Sequence, residues 1–431
     1  MPLPVPATQS DIDAIHSARR KIAFERARSA PFHRDRLAGI DPDRLDDPAE
    51  WAKIPILEKE ALRDLPPDRF QSEFFTGDPG DIMEFWRSGG ATGVPLFYPR
   101  TAEDMKYGLL SFDRIFDCAG LSGGPHRAHV SFPLGIHPVG HVFCRVAQGR
   151  GIGVNWAGSG ASTPSAVQVE LIETLKPTIW LGMGSYALHL ANLAEAGEFD
   201  LAGGSVEYVF TTAEPLSQAK RDKIERMWGA TVFDGFGMTE AGMMGGEDAA
   251  HDGFRIWTDL WIIEVLDPDS DKPVAPGDVG KLVVTPLWTN NATPFIRWSS
   301  GDLVSVQPGG TGTGPYAVFP VLRHAHRTSG FFKVRGVNIN HSEFEDFMFA
   351  MPDVNDFKAE VVTSDGWQDV LRVSFEARRG SDAAALAQDI AGRIKVTFES
   401  TPEVKELARG TLAHEFEGQI KAQRFIDQRG R

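Results

Sequence analysis

The chain has 431 residues, with 44 Lys and Arg against 59 Asp and Glu, giving a formal net charge of −15. Its 42% hydrophobic and 24% charged fractions are those of a folded globular protein with a sizeable core, divided into about two to four domains. The acidic balance argues against a protein built to grip nucleic acid or an anionic membrane, yet leaves room for an anionic ligand in a locally positive cleft. Cys118 and Cys144 are the only cysteines. They provide neither a disulfide framework nor a Cys-rich zinc site, and they fit a reduced, cytosolic setting. The opening MPLPVPATQSDID carries no basic or apolar signal-peptide region. Pro177 to Ala194 lacks acidic and basic residues, but its Gly182, Gly184, Ser185, His189 and Asn192 read as strand, turn and helix rather than a membrane span.

Residues 11–39 and Glu58–Arg63 read as surface helices. From about 80 to 330, short apolar runs alternate with glycine turns and helical segments. KPTIWLGM predicts a strand, SYALHLANLAEAGE a helix stopping at Gly197, and SVEYVFTTAEP a further strand. SQAKRDKIERMWG predicts a helix with Ser217 as N-cap and Gly229 past its end. TVFDGFG follows as a strand, so the alternation implies an α/β fold with mainly parallel sheets. IWTDLWIIEVLDP and GKLVVTPL, joined by the turn DPDSDKPVAPGDVG, predict a β-rich section. In the tail, FKAEVVTS and VLRVSFEA flank Asp365-Gly366 as a hairpin, and DAAALAQDIAGRIKVTFES predicts a helix. Residues from about 329 onward therefore form a small α+β domain.

Five loops have chemistry to offer. Ser88-Gly89-Gly90-Ala91-Thr92-Gly93-Val94-Pro95 could cradle phosphates through backbone N–H groups and hydroxyls, or be a plain surface turn; it is not a Walker A loop. Phe236-Gly237-Met238-Thr239-Glu240 follows a strand, where a carboxylate can hold Mg²⁺ and an aromatic can stack on a base; the plainer reading is a helix entry. Asp302 in RWSSGDL suits two vicinal ribose hydroxyls, or is a turn aspartate without a ligand. HRTSGFFKVRGVN holds junction arginines that are either solvated or face a cleft. Lys421 by itself reads as a solvated terminal charge.

Taken in order, these loops resemble the adenylate-forming superfamily of acyl-CoA synthetases, and within it the phenylacetate–CoA ligase family. The resemblance runs through APFHRDRL, IPILEKEALRD, the phosphate loop, KPTIWLGMGSYAL, TTAEPLS, FDGFGMTEAG, RWSSGDL, KVRGVNIN and Lys421. It implies an N-terminal adenylation domain over 1–328 and a mobile C-terminal domain over 329–431. It implies a cytoplasmic ligase in which a carboxylic acid attacks Mg-ATP, giving acyl-adenylate and pyrophosphate, before the CoA thiol displaces AMP. The alternatives are an adenylating enzyme serving an amine or carrier protein, and a degenerate nucleotide-binding protein. By resemblance, Ser88, Gly89, Gly90, Thr92 and Gly93 hold the β/γ-phosphates, Glu240 ligates Mg²⁺ and Thr239 lies nearby. Phe236 stacks on adenine and Glu214 lines its pocket, Ala213, Pro215, Asp234 and Gly237 belong to the ATP/AMP site, and Asp302, supported by Arg327, binds ribose. Lys421 serves adenylation, and Arg335 and Gly336 face the site for thioester formation. Ile136, His137, His141, Ala213 and Gly235 line the acyl pocket, the smallness of Gly235 suggesting room for an aryl or arylacetic ring. Val94 stands where the family carries a lysine, a loss that Arg87 or Arg100 could offset. Ser329-Gly330 replaces the usual acidic pair of the hinge, His326 a glycine before Arg327, and Ile420 a glycine before the lysine. Glu247, Asp248 and His251 read as a solvated acidic loop, with no structural zinc expected. Partners are small molecules, with neither nucleic acid nor membrane, and a homodimer is common in the family.

Overall fold

A computed structural model describes residues 3–87, 96–121, 124–310, 314–327, 331–334, 337–364, 368–417, 419 and 422–429. The contacts divide the chain into two units. The first comprises Met1–Gly123, Gly135–Arg150 and Phe233–Thr328; the second comprises Gly124–Leu134, Gly151–Val232 and Ser329–Arg431.

The first unit opens on the helix Gln9–Ser29. Thr8 and Asp11 start it as a capping box: the Asp11 N–H donates to the Thr8 hydroxyl and the Thr8 N–H to the Asp11 carboxylate. Its buried Phe24 and Ala27 join Leu37, Leu45, Trp51 and Ile54 against Ile262 of the sheet and Leu287 and Ile296 in the segments between strands. That sheet runs in the order Trp261–Leu266, Gly280–Pro286, Trp298–Gln307, Val321–Arg327, Phe254–Ile256, Gly242–Glu247 and Thr231–Met238. Every pairing along it is antiparallel. IWTDLWIIEVL, read from sequence as one strand, is two. The chain turns at 257–260, where the Thr258 N–H bonds the Ile256 carbonyl and the Leu260 N–H the Trp257 carbonyl. The cause is Asp259, fully buried and held by both guanidinium nitrogens of Arg114 at 2.7 Å. Arg114 rises from the helix Ala102–Cys118, itself begun by the capping box Thr101–Asp104.

The second unit holds the parallel strands. Gly153–Trp156, Arg127–Val130, Ile179–Leu181 and Tyr208–Thr212 pair in that order. Helices Ser165–Leu175, Gly184–Ala196 and Gln218–Trp228 alternate with them, the last two as the sequence predicts. Ser217 caps the last of these by accepting from the Lys220 N–H at 3.3 Å. Gly229 ends it at φ 63°, and a Cβ there would lie 2.2 Å from the Ala202 carbonyl oxygen, so only glycine fits. The C-terminal portion is a four-stranded sheet ordered Glu403–Leu407, Gln368–Ala377, Val354–Ser364 and Phe425–Asp427. Its central pair is the expected antiparallel hairpin, covered by the helices His341–Phe349 and Ala383–Thr397. The Asp365-Gly366 turn lies outside the described residues.

Lys223, on the helix Gln218–Trp228, joins these two parts of the second unit. Its buried ammonium donates to the carbonyls of Val354, at 2.8 Å, and Asn355. Burial lowers its pKa to about 7; Asp356 and Glu195 pull it up, while Arg424 and Arg226 push it down.

Two outcomes follow from these buried charges. Arg114→Met leaves Asp259 buried without its partner, so the urea midpoint should fall by the equivalent of about 3–5 kcal/mol; the double variant with Asp259→Leu should recover most of the loss. Lys223 binds its proton more weakly folded than unfolded. The stability it contributes is therefore full above its ordinary range near 10 and is lost as pH falls toward 7. Unfolding measured from pH 7 to 10 should show a rise in stability that flattens in Lys223→Met; equal slopes in both proteins would refute this origin.

Candidate functional site

The segment FGMTE is a β-hairpin, not a helix entry. Thr231–Met238 turns through 239–241 and returns antiparallel as Gly242–Glu247. Gly237 makes the tight return feasible, since a Cβ there would lie 2.5 Å from the Gly242 carbonyl oxygen. Glu240 is 7% exposed, and the Tyr98 hydroxyl donates to its Oε1 at 3.1 Å. Arg100 clamps the same turn from behind. Its Nη2 donates to the carbonyls of Thr239 at 2.6 Å and Glu240 at 3.0 Å, and its Nη1 to the Thr289 carbonyl at 3.1 Å and the Thr293 hydroxyl at 3.2 Å. The guanidinium also sits 4.7 Å over the Trp86 ring. Arg100 is thus fully buried on protein acceptors and cannot replace the cation missing at Val94. Arg87 ends the strand Ile82–Arg87, directly before the glycine loop in sequence.

Asp302 is 2% exposed on the strand Trp298–Gln307. The Ser300 hydroxyl donates to its Oδ2 at 2.5 Å, and His324 Nε2 lies 3.2 Å from its Oδ1. The backbone of Arg327 is its register partner on the neighbouring strand. The His324 ring is 6.1 Å from that of Phe236, which also packs on Phe254 at 5.6 Å. The structure therefore gathers the expected adenine and ribose residues Phe236 and Asp302 around His324, which sequence reasoning missed. No sequence pattern marked it: His324 stands three residues before Arg327, an odd spacing that simple strand alternation would put on the opposite face, and the register shifts between Leu303 and Val304 opposite it.

Asp234 lies in the same hairpin, its N–H donating to Glu247 at 2.8 Å. Glu247 is 6% exposed and pairs with His251 at 3.4 Å, while Asp248 accepts from Arg255 at 2.8 Å. The stretch expected to be a solvated acidic loop is thus built into the hairpin by these partners. Gly235 is small for a reason other than ring space. A Cβ there would lie 2.6 Å from Ile115 Cδ1 and 3.2 Å from Met243 Sδ, so packing from the helix Ala102–Cys118 already fills the position. His137 precedes the helix Pro138–Gly149, and burial, then Arg87, holds it below its ordinary pKa. His141 Nε2 lies 2.9 Å from the Gly135 amide nitrogen, and Ile136 is 48% exposed.

In the second unit, Ala213 follows the strand Tyr208–Thr212 at φ 74°. The next residue, Glu214, turns its carboxylate onto the start of the helix Gly184–Ala196. It accepts from the Ser185 amide and, at 2.8 Å, from the Ser185 hydroxyl. Lys220 Nζ lies 3.1 Å from its Oε1. Burial raises the Glu214 carboxyl, but Lys220 and Ser185 outweigh it and hold the group below its ordinary value. Pro215 continues this turn. Ser88, Gly89, Gly90, Thr92, Gly93, Arg335, Gly336 and Lys421 lie outside the described residues, as does the Ser329-Gly330 pair.

For a magnesium ion, the fit rests on Glu240. It is a hard oxygen donor, buried, and Tyr98 engages one of its two oxygens. Among the described residues, no group of three or more His, Cys, Asp or Glu gathers as a metal cage. One carboxylate completed by substrate phosphates and water is how Mg²⁺ is commonly held.

The family model "AMP-binding enzyme" matches residues 45–287. The phenylacetate-coenzyme A ligase of Escherichia coli (strain K12) is 28% identical over 389 residues, 87% of this chain and 84% of that protein. The phenylacetate-coenzyme A ligase of Aromatoleum evansii is 26% identical over 436 residues, covering 98% and 96%. The fold matches a crystal structure of 2-hydroxyisobutyryl-CoA ligase in its postadenylation state, with a TM-score of 0.84 at 24% identity over 98% of this chain and 91% of that one. With the family model covering more than half its length, the chain belongs to the AMP-binding enzymes.

Proposed function

We propose that the protein is an ATP-dependent, AMP-forming ligase that activates an aromatic or arylacetic acid as its acyl-adenylate and transfers the acyl group to CoA. The observation that carries this reading is the Thr239–Glu240 turn: a buried carboxylate presented by Tyr98, on a backbone clamped by Arg100. The relatives named phenylacetate-coenzyme A ligase support the choice of acid and of thiol acceptor.

The chemistry needs no protein nucleophile. A substrate carboxylate oxygen attacks the α-phosphorus, the bond to the β-phosphate oxygen breaks, and pyrophosphate leaves. The barrier is negative charge approaching negative charge, so the chain must position donors rather than transfer protons. Glu240 would hold Mg²⁺, which when bound offsets charge on the phosphate oxygens. Ser88, Gly89, Gly90, Thr92 and Gly93 supply amides and hydroxyls to the β/γ-phosphates, with Arg87 at the loop entrance. Phe236 stacks on adenine, Glu214 lines the adenine pocket, and Asp302, fixed by Ser300 and His324, accepts from the ribose hydroxyls. Lys421 bridges the acid and the α-phosphate. In the second step the CoA sulfur bonds to the acyl carbon, AMP leaves with the bonding pair and the thiol proton passes to solvent. Arg335 and Gly336 face the site in that step, after residues 329–431 move as a domain against 1–328. His137, His141 and Ile136 line the acyl pocket with the backbone of Ala213 and Gly235. No described helix is long and apolar enough to cross a membrane; a cytoplasmic homodimer completes the reading.

A screen of aromatic, arylacetic and aliphatic acids should give pyrophosphate release with aryl acids, and AMP plus thioester only with CoA. Trapped hydroxamate without any thioester would move the acceptor to an amine or carrier protein. No release with any acid would leave a nucleotide-binding protein without catalysis. Lys421→Ala should abolish release, and full release in that variant would remove the lysine from the mechanism.

The Glu240 turn gives a metal-dependence test. Glu240→Gln should raise the Mg²⁺ concentration for half-maximal pyrophosphate release about tenfold or more, without moving the urea midpoint. Arg100→Lys keeps the charge but loses the forked geometry, and should lower release about tenfold or more. Unchanged magnesium dependence in Glu240→Gln would place the ion elsewhere.

A further inference from the structure

Lys421 lies between two anchored residues of the second unit, Glu417 and Arg424. Glu417 follows the helix Thr411–Phe416 and enters a socket made by residues from 160 to 189. Its Oε1 accepts from the Ser165 N–H at 3.0 Å, the first residue of the eleven-residue helix Ser165–Leu175. Its Oε2 lies 2.9 Å from His189 Nε2, on the helix Gly184–Ala196. The socket floor is glycine: a Cβ on Gly160 would lie 3.1 Å from Glu417 Oε1 and 3.3 Å from the Tyr186 hydroxyl. Tyr186 bonds the Ser165 hydroxyl at 2.8 Å and stacks on His189 at 5.4 Å.

The chemistry of the socket selects a carboxylate. His189 is 3% exposed and its Nδ1 has no partner, which fits a neutral ring with the proton on Nε2. Both groups facing Glu417 are then donors, backed by a helix N-terminus. An amide at this position would present one NH₂ to a donor. Beyond Lys421, the Gln423 N–H donates to the side-chain Oε1 of Gln419 at 3.0 Å. Arg424, 2% exposed, grips Asp356 at 2.9 and 3.2 Å. Glu345 lies 3.8 Å from Arg424 and 3.6 Å from Lys220, whose other partner is Glu214 at 3.1 Å. The turn assigned to adenine is thereby linked by charge to the residue three places beyond Lys421.

We infer that Glu417 and His189 are positioning residues for the adenylation step: the seated carboxylate anchors, four residues before Lys421, the chain that delivers this lysine to ATP, and the socket empties before the CoA thiol reacts. The inference rests on the proposed ligase reading and on Lys421 as its adenylation lysine. It places in the first half-reaction two residues that touch neither substrate.

The test separates the two half-reactions, using an acid that the wild-type enzyme activates. Pyrophosphate release with hydroxylamine trapping reads the first, and thioester formation from the chemically prepared acyl-adenylate plus CoA reads the second. Glu417→Gln and His189→Asn should each slow the first about tenfold or more and leave the second within about twofold of wild type. Gly160→Ala, which narrows the socket without removing a polar group, should show the same split. Equal losses in both half-reactions, or no loss in either, would overturn the inference while leaving the ligase reading intact. Absence of pyrophosphate release in the wild-type enzyme would instead overturn the ligase reading and, with it, this role. Urea midpoints identify variants that merely fail to fold; should Glu417→Gln be one, Gly160→Ala decides.

Discussion

A guanidinium buried away from water needs acceptors, and the two terminal nitrogens of Arg100 find them on two separate stretches of chain. It binds the carbonyls of Thr239 and Glu240 with one nitrogen, and Thr289 and Thr293 with another. Asp104, four residues on, repeats the tie by accepting from the amide and side chain of Asn291. The hairpin turn that carries Glu240 and the approach to the strand that carries Asp302 are therefore held in one register by neighbouring side chains. A buried charge of this kind is costly to desolvate. Its return is geometric, since two loops far apart in sequence hold their spacing without a ligand present.

Much of the fold was legible because its signals are local. Ser217 and Gly229 bound their helix as expected, and the 354–377 segment forms the predicted hairpin. The Gly184–Ala196 helix stops at Gly197. The family was legible too, because the order of the loops carried the resemblance. What was not legible depends on distance in sequence. Arg100 looked like a spare cation for the phosphate loop, but its partners lie about 140 and 190 residues away. Gly235 looked like room for a ring, whereas Ile115 fills the space. Glu247 looked solvated because composition cannot show that Asp234 and His251 meet it in a hairpin. His324 was invisible for the same reason: its meaning comes from Asp302 on the adjacent strand.

Two residues with side chains sit in the left-handed region within motifs that matter here: Ala213 at φ 74° and Arg297 at φ 44°. Such a backbone costs of order 1–3 kcal/mol and persists only where surroundings enforce it. At Arg297 the enforcement is plain. Its guanidinium holds Glu264 through two bonds of 3.0 Å and the carbonyls of Ile54 at 2.6 Å and Ala52 at 3.2 Å. These tie the N-terminal segment to the strand leading into Asp302. At Ala213 the enforcement comes from the neighbour, because Glu214 is pinned by Ser185 and Lys220. The strain thus sits on the turn proposed to meet adenine, where the anchoring carboxylate fixes which backbone faces the ligand.

The bulk charge of −15 says little about such sites, since the decisive cations are buried and locally matched. In the second unit their distribution separates two kinds of contact. Arg424 with Asp356, and Glu376 with the amides of Gly410 and Leu412, lie wholly within residues 329–431. Glu417 with His189, Lys220 with Glu345, Asn192 with Asp356, and Lys223 with the 354–355 carbonyls join that portion to the preceding helices. The joining contacts are polar, and each group in them can exchange its partner for water. Apolar burial of the same extent would have to be exposed in full on separation, at about 25 cal/mol per Å². The charges within 329–431 are thus matched inside that portion, while those that join it to the preceding helices are matched across the join, where each can exchange its partner for water.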